Sequence, residues 1–153
     1  MFAEPLLAII VLALLCVWLL VLGVDIGHTL TLSWARSGES IAQTVTIEAE
    51  GEKNANVTVN ASTTDKRVEF PIDVSEVKSL YIHSDQTVTF EFNDNAGAQG
   101  SFTVTANKPV IYYTGCGWDL SDLLPADVTD FYISNAGGTA AAVRIRVLED
   151  TTP

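Results

Sequence analysis

The side chains able to do chemistry in this chain are few and scattered. The two histidines, His28 and His83, lie far apart in sequence. A metal site needs two or three converging ligands, and His83 with Asp85 supplies only a thin start, so a turn or surface role is the simpler reading. Cys116 sits in Gly115-Cys116-Gly117-Trp118, the one local setting for a reactive thiol. No base accompanies it, and a small loop residue explains it as well. Asn93-Asp94-Asn95 ahead of Gly97 comes nearest to a calcium loop but lacks a downstream acidic closer; the same residues suit a tight turn. No G-x-S-x-G or equivalent marks a nucleophilic serine, and nothing selects one pair of carboxylates for glycoside chemistry. No catalytic residue, cofactor or metal ligand is therefore assigned. Tyr112, Trp118 and Tyr132, with Tyr113 and Phe131 nearby, form a candidate partner or carbohydrate surface, although aromatics on strands more commonly pack into cores or between subunits.

The elements that must position these residues are short and alternating. Apolar side chains recur at every second position over His28–Trp34, Gln43–Glu50, Asn56–Ala61, Arg67–Ile72, Ser79–His83, Gln86–Phe92, Ser101–Ala106, Asp130–Ser134 and Ala141–Glu149, the period of half-buried strands. Val110–Thr114 is more continuously apolar. Leu30, Leu32 and Trp34, and Val45, Ile47 and Ala49, are expected to point inward, like Val143, Ile145 and Val147 in the last strand, whose Arg144 and Arg146 point outward. Ser37-Gly38, Gly51-Glu52, Asp94-Asn95-Ala96-Gly97 and Asn135-Ala136-Gly137-Gly138 read as turns. Within Gly115–Val128, Ser121–Leu124 reads as a helical turn stopped by Pro125. Pro71, inside a strand pattern, predicts an edge or a bulge. Ten short strands with such turns indicate an all-β fold, an antiparallel β-sandwich or jelly roll.

Ahead of these strands lies a different kind of segment. Leu6 to Leu22 contains no charged, polar or glycine residue. As a helix it spans about 25 Å, and Pro5, Gly23 and Val24 extend it toward the ~20 residues that a bilayer core wants. Leu6, Ile9, Ile10, Leu14, Trp18 and Leu22 mark this helix, whose uniformly apolar faces require burial. Three readings stand side by side: a membrane-spanning or signal-anchor helix, a cleaved signal peptide, and a helix buried against copies of itself. The organisation is thus an apolar helix over 1–25, a β-sandwich domain over 26–150 and a short tail over 151–153.

Charge excludes one class of partner. The chain carries a formal −11 with only eight basic residues. Such a surface repels phosphate backbones, and no basic stripe offsets it, so no nucleic-acid contact is expected. Cys16 falls in the apolar segment and Cys116 in the domain, which gives no disulfide framework.

Lys78–Gln86 (KSLYIHSDQ), Ala106–Val110 (ANKPV) and Ala126–Asp150 (ADVTDFYISNAGGTAAAVRIRVLED) resemble a group of small tailed-phage structural proteins. The similarity begins near His28–Trp34 (HTLTLSW), runs to about residue 150 and excludes the apolar segment. It implies a virion β-sandwich and carries over no catalytic residue. The expectation is a non-enzymatic structural subunit of a viral particle, of the minor capsid or decoration kind. Its partners would be other virion subunits, including copies of itself, with a lipid bilayer as a further partner of the helix. A filament subunit with bundled N-terminal helices, and a membrane-anchored binding module at the cell surface, are the alternatives.

Overall fold

The structure, a computed structural model, describes residues 26–36 and 39–150. The apolar helix expected over 1–25, with Leu6, Ile9, Ile10, Leu14, Trp18 and Leu22, lies outside the described residues, as does the tail 151–153. Among the described residues no helix is long and apolar enough to cross a membrane.

Ten antiparallel strands form three sheets among the described residues. Among the described strands β1 (Ile26–Arg36) and β2 (Glu39–Ala49) pair only with each other, as a two-stranded ribbon. The other eight are β3 (Gly51–Val59), β4 (Thr63–Ile72), β5 (Val77–Ser84), β6 (Val88–Phe92), β7 (Ser101–Val104), β8 (Val110–Tyr113), β9 (Val128–Asn135) and β10 (Ala141–Glu149). They build two four-stranded sheets, β3-β10-β5-β8 and β4-β9-β6-β7. Both sheets contribute to one core, and this strand order is the one that two Greek keys of an eight-stranded jelly roll produce.

Alternation decides which face each strand buries. Val143, Ile145 and Val147 of β10 join Leu80 and Ile82 of β5 against Phe90 and Phe92 of β6 and Phe131 and Ile133 of β9, all 1% exposed or less. Phe90 sits at the centre, edge-on to Phe131 at 5.4 Å and stacked on Phe102 at 5.0 Å. Each such ring contributes about 1.5–3 kcal/mol through burial. Gly100 has a steric reason: a Cβ there would come within 2.4 Å of the Phe92 ring.

The chain's punctuation follows local chemistry. Pro71 lies in β4, an edge strand, where the register with β9 shifts between Glu69 and Ile72; a proline has no N–H to give the ladder. Asp119 caps a 3-10 turn over Leu120–Asp122 by accepting from the Ser121 amide at 3.0 Å. Gly51-Glu52 corrects the expected turn. Both residues are in the ladder, opposite Glu149 and Leu148, and a bend at Glu50 alone separates β2 from β3. The chain there steps from ribbon to sheet without reversing.

The ribbon also corrects the expected burial. Among the described side chains of the ribbon only Ala49 is buried; Leu30, Val45 and Ile47 are half-buried, Leu32 is 46% exposed and Ile41 is 66% exposed, while the Trp34 side chain lies outside the described ones. The alternation is real, but the apolar face leaves the sandwich after the first residues, and among the described residues nothing covers Leu32 or Ile41.

Candidate partner surface

Register assigns the ribbon two unlike faces. One carries the pairs Ile26–Ala49, His28–Ile47, Leu30–Val45 and Leu32–Gln43, with Ile41 opposite the Trp34 position. The other carries Gly27–Glu48, Thr29–Thr46, Thr31–Thr44 and Ser33–Ala42. Threonine pairs suit a wet strand face, so the ribbon is amphipathic along its length.

At its base the ribbon lies across the outer face of the β3-β10-β5-β8 sheet. His28 bridges the two: its Nδ1 is 3.2 Å from Ser79 Oγ and its Nε2 is 3.4 Å from Glu52 Oε1. Beneath it Leu148 is fully buried, although by alternation it points away from the core. Beyond this clasp the ribbon and sheet diverge around an open cleft of about 340 Å³. Leu30 and Ile47 line it from the ribbon, and Tyr81, Ile111 and Tyr113 from the sheet, with Glu52 and Arg146 at its margin. The continuous apolarity of β8 now has its cause: Val110 and Tyr112 face the core, while Ile111 and Tyr113 face the cleft.

Ser79, His28 and Glu52 contain the residue types of an acyl-transfer triad, but not its setting. Ser79 lies mid-sheet between Leu148 and Tyr113, so the ladder engages the amides that an oxyanion hole would need. Ser79 is 6% exposed at the floor of the cleft, where its hydroxyl meets the His28 ring. The trio acts as a clasp.

The aromatic trio expected from sequence is split. Tyr112 and Trp118 meet edge to face at 5.3 Å, because Gly115 and Gly117 take φ of 93° and 90° and turn the loop back on β8. Cys116 belongs to that loop and its thiol points to the Trp118 carbonyl oxygen at 3.6 Å. Tyr132 lies on β9, opposite Arg67, on the other sheet. There Arg67 grips Asp130 with Nε at 2.8 Å and its terminal nitrogen at 3.0 Å. Those hydrogen bonds hold the Asp130 carboxyl below its ordinary value. Asp73, held by the Ser75 hydroxyl and amide, and Asp119, held by the Ser121 amide, are lowered likewise.

The other candidates serve turns. Asp94 accepts from the Ala96 amide at 2.9 Å, and Asn93 binds Gln99, the Asp127 carbonyl and Thr129. His83 stacks on Tyr81, while Asp85 accepts from the Ala142 amide at 2.7 Å. Among the described residues no cluster of three or more His, Cys, Asp or Glu forms a metal cage.

Sequence reasoning missed the cleft. Its walls come from β1, β2, β5 and β8, and the one advance signal was the doubly apolar run VIYY, which needs cover on both faces.

No family model, curated protein or solved structure matches the chain.

Proposed function

We propose that the chain is a non-enzymatic structural subunit of a repetitive particle, of the minor capsid or decoration kind in a phage-like virion. The observation that carries this reading is the ribbon. Leu32 and Ile41 stand in water, whereas the sandwich buries its large apolar side chains. A two-stranded ribbon is marginal alone and needs further strands or a packed face; an uncovered apolar face marks a contact surface. The uninterrupted apolar sequence of residues 6–22 also calls for burial, against sister subunits or in a bilayer. The acidic sandwich keeps crowded copies soluble and away from nucleic acid.

Comparison of the full chain with one lacking residues 1–24 tests this. The full chain should enter large assemblies or float with bilayers, and the shortened chain should remain folded and β-rich but do neither. A shortened chain that cannot fold, or a full chain that stays monomeric and lipid-free, overturns the reading.

A further inference from the structure

The geometry points to a second copy of this chain as the occupant of the ribbon's apolar face. The two copies are related by a twofold axis, and the ribbon tip of each seats Ile41 in the other's cleft. This deepens the subunit reading above and rests on it.

Three observations carry the inference. The first is a match of knob and hole within one chain. Ile41, near the ribbon tip, is the most exposed large apolar side chain described, at 66%. The cleft at the ribbon base is walled by Leu30, Ile47, Tyr81, Ile111 and Tyr113. Ile41 cannot fill its own chain's cleft: six residues of strand, about 20 Å, separate it from Ile47. A second copy running antiparallel brings tip over base twice, so that residue i meets j and j meets i, as a twofold contact requires.

The second observation is charge. The ribbon, residues 26–49, has three charged residues: Arg36 and Glu39, opposite each other in register, and Glu48 on the face that also carries the threonine pairs. Residues 50–150 carry 15 acidic and seven basic side chains. Two copies therefore repel each other least where the ribbon of one supplies the contact.

The third is area. A specific interface buries about 1,200–2,000 Å² in total. Insertion of each tip between ribbon and sheet adds the Tyr81, Ile111 and Tyr113 surface on both sides of the axis.

The test is disulfide trapping in the full chain in mild detergent, with Cys16→Ser and Cys116→Ser as background. Ile41→Cys combined with Ile111→Cys should give an intermolecular disulfide dimer. The same two positions are too distant within one chain for a bond that needs Cα atoms within about 7 Å. Thr31→Cys with Ile111→Cys, which uses the opposite ribbon face, should give none. Ile41→Asp should weaken dimerisation, read by analytical ultracentrifugation, by about tenfold or more, with an unchanged circular dichroism spectrum. Monomers at every concentration, or equal trapping at Thr31, overturn the inference. Large assemblies without the Ile41–Ile111 bond would sink this inference and leave the subunit reading standing. Trapped dimers that never enter a larger assembly would do the reverse.

Discussion

Lys53 holds Glu149 with its Nζ 2.6 Å from Oε2, and the same ammonium donates to the Pro71 carbonyl at 3.0 Å. Lys53 and Glu149 belong to one sheet and Pro71 to the other, so a single cation ties the two layers at one end of the sandwich. Glu149 is 2% exposed and its second oxygen has no partner. Lys53→Met should therefore leave a buried carboxylate unpaired. Because the Lys53 side chain is 41% exposed, the cost should be about 2 kcal/mol, below the ~3–5 kcal/mol of a fully buried pair. Adding Glu149→Leu should recover part of that loss, and urea unfolding of the two variants measures it. A double variant less stable than Lys53→Met contradicts this account.

Asn135 should prove costly to change. It is fully buried, and its amide nitrogen lies 3.1 Å from the Val59 carbonyl, 3.2 Å from that of Asn60 and 2.8 Å from that of Thr139, while its oxygen accepts from the Gly137 amide. Asn135→Ala strands these groups and should cost about 3 kcal/mol. Asn135→Asp aims a carboxylate at three carbonyls and should cost more at neutral pH. Thermal unfolding ranks the two, and the reverse order would contradict the role given to the amide.

Acid stability should depend on Asp130. Its folded pKa is depressed from 3.8, chiefly by the Arg67 hydrogen bonds. A depressed carboxylate stabilises the fold above its unfolded value and loses that contribution as pH falls through the lower folded one. Stability should thus decline below about pH 4, and Asp130→Asn should flatten that decline. Asp73 and Asp119 shift the same way and leave a residual slope. Identical acid profiles for Asp130→Asn and the parent would remove Asp130 from this role.

Gly100 should tolerate no side chain. A Cβ there meets Phe92 at 2.4 Å, and Phe92 is fully buried. Gly100→Ala should cost about 1–3 kcal/mol, measured by urea unfolding. Gly97→Ala, whose Cβ would meet only the Asp94 side chain at 3.5 Å, should cost much less.

The ten strands were legible because period-2 alternation is local and survives any tertiary arrangement. Pro71 marked an edge strand and Ser121–Leu124 a helical turn for similarly local reasons. What alternation cannot say is what lies opposite. The Leu30, Leu32, Val45 and Ile47 pattern reads like any core strand, yet β1 and β2 pair with no third strand among the described residues. Gly51-Glu52 looked like a turn because glycine serves bends and straight ladders alike. Asn135 looked like the first residue of a turn, and only the folded chain brings Val59 and Asn60 to its amide. Residue type alone groups Tyr132 with Tyr112 and Trp118, whereas sheet order puts it on the other sheet.

Hydrogen exchange on the full chain, followed as its concentration rises, tests the ribbon most directly. Amides of β1 and β2 around Leu30–Leu32 and Ile41–Val45 should exchange fast in dilute samples and slow as copies associate, while those of β9 and β10 stay protected throughout. Equal ribbon protection at every concentration would contradict the account, because the apolar face would then need no second molecule to cover it.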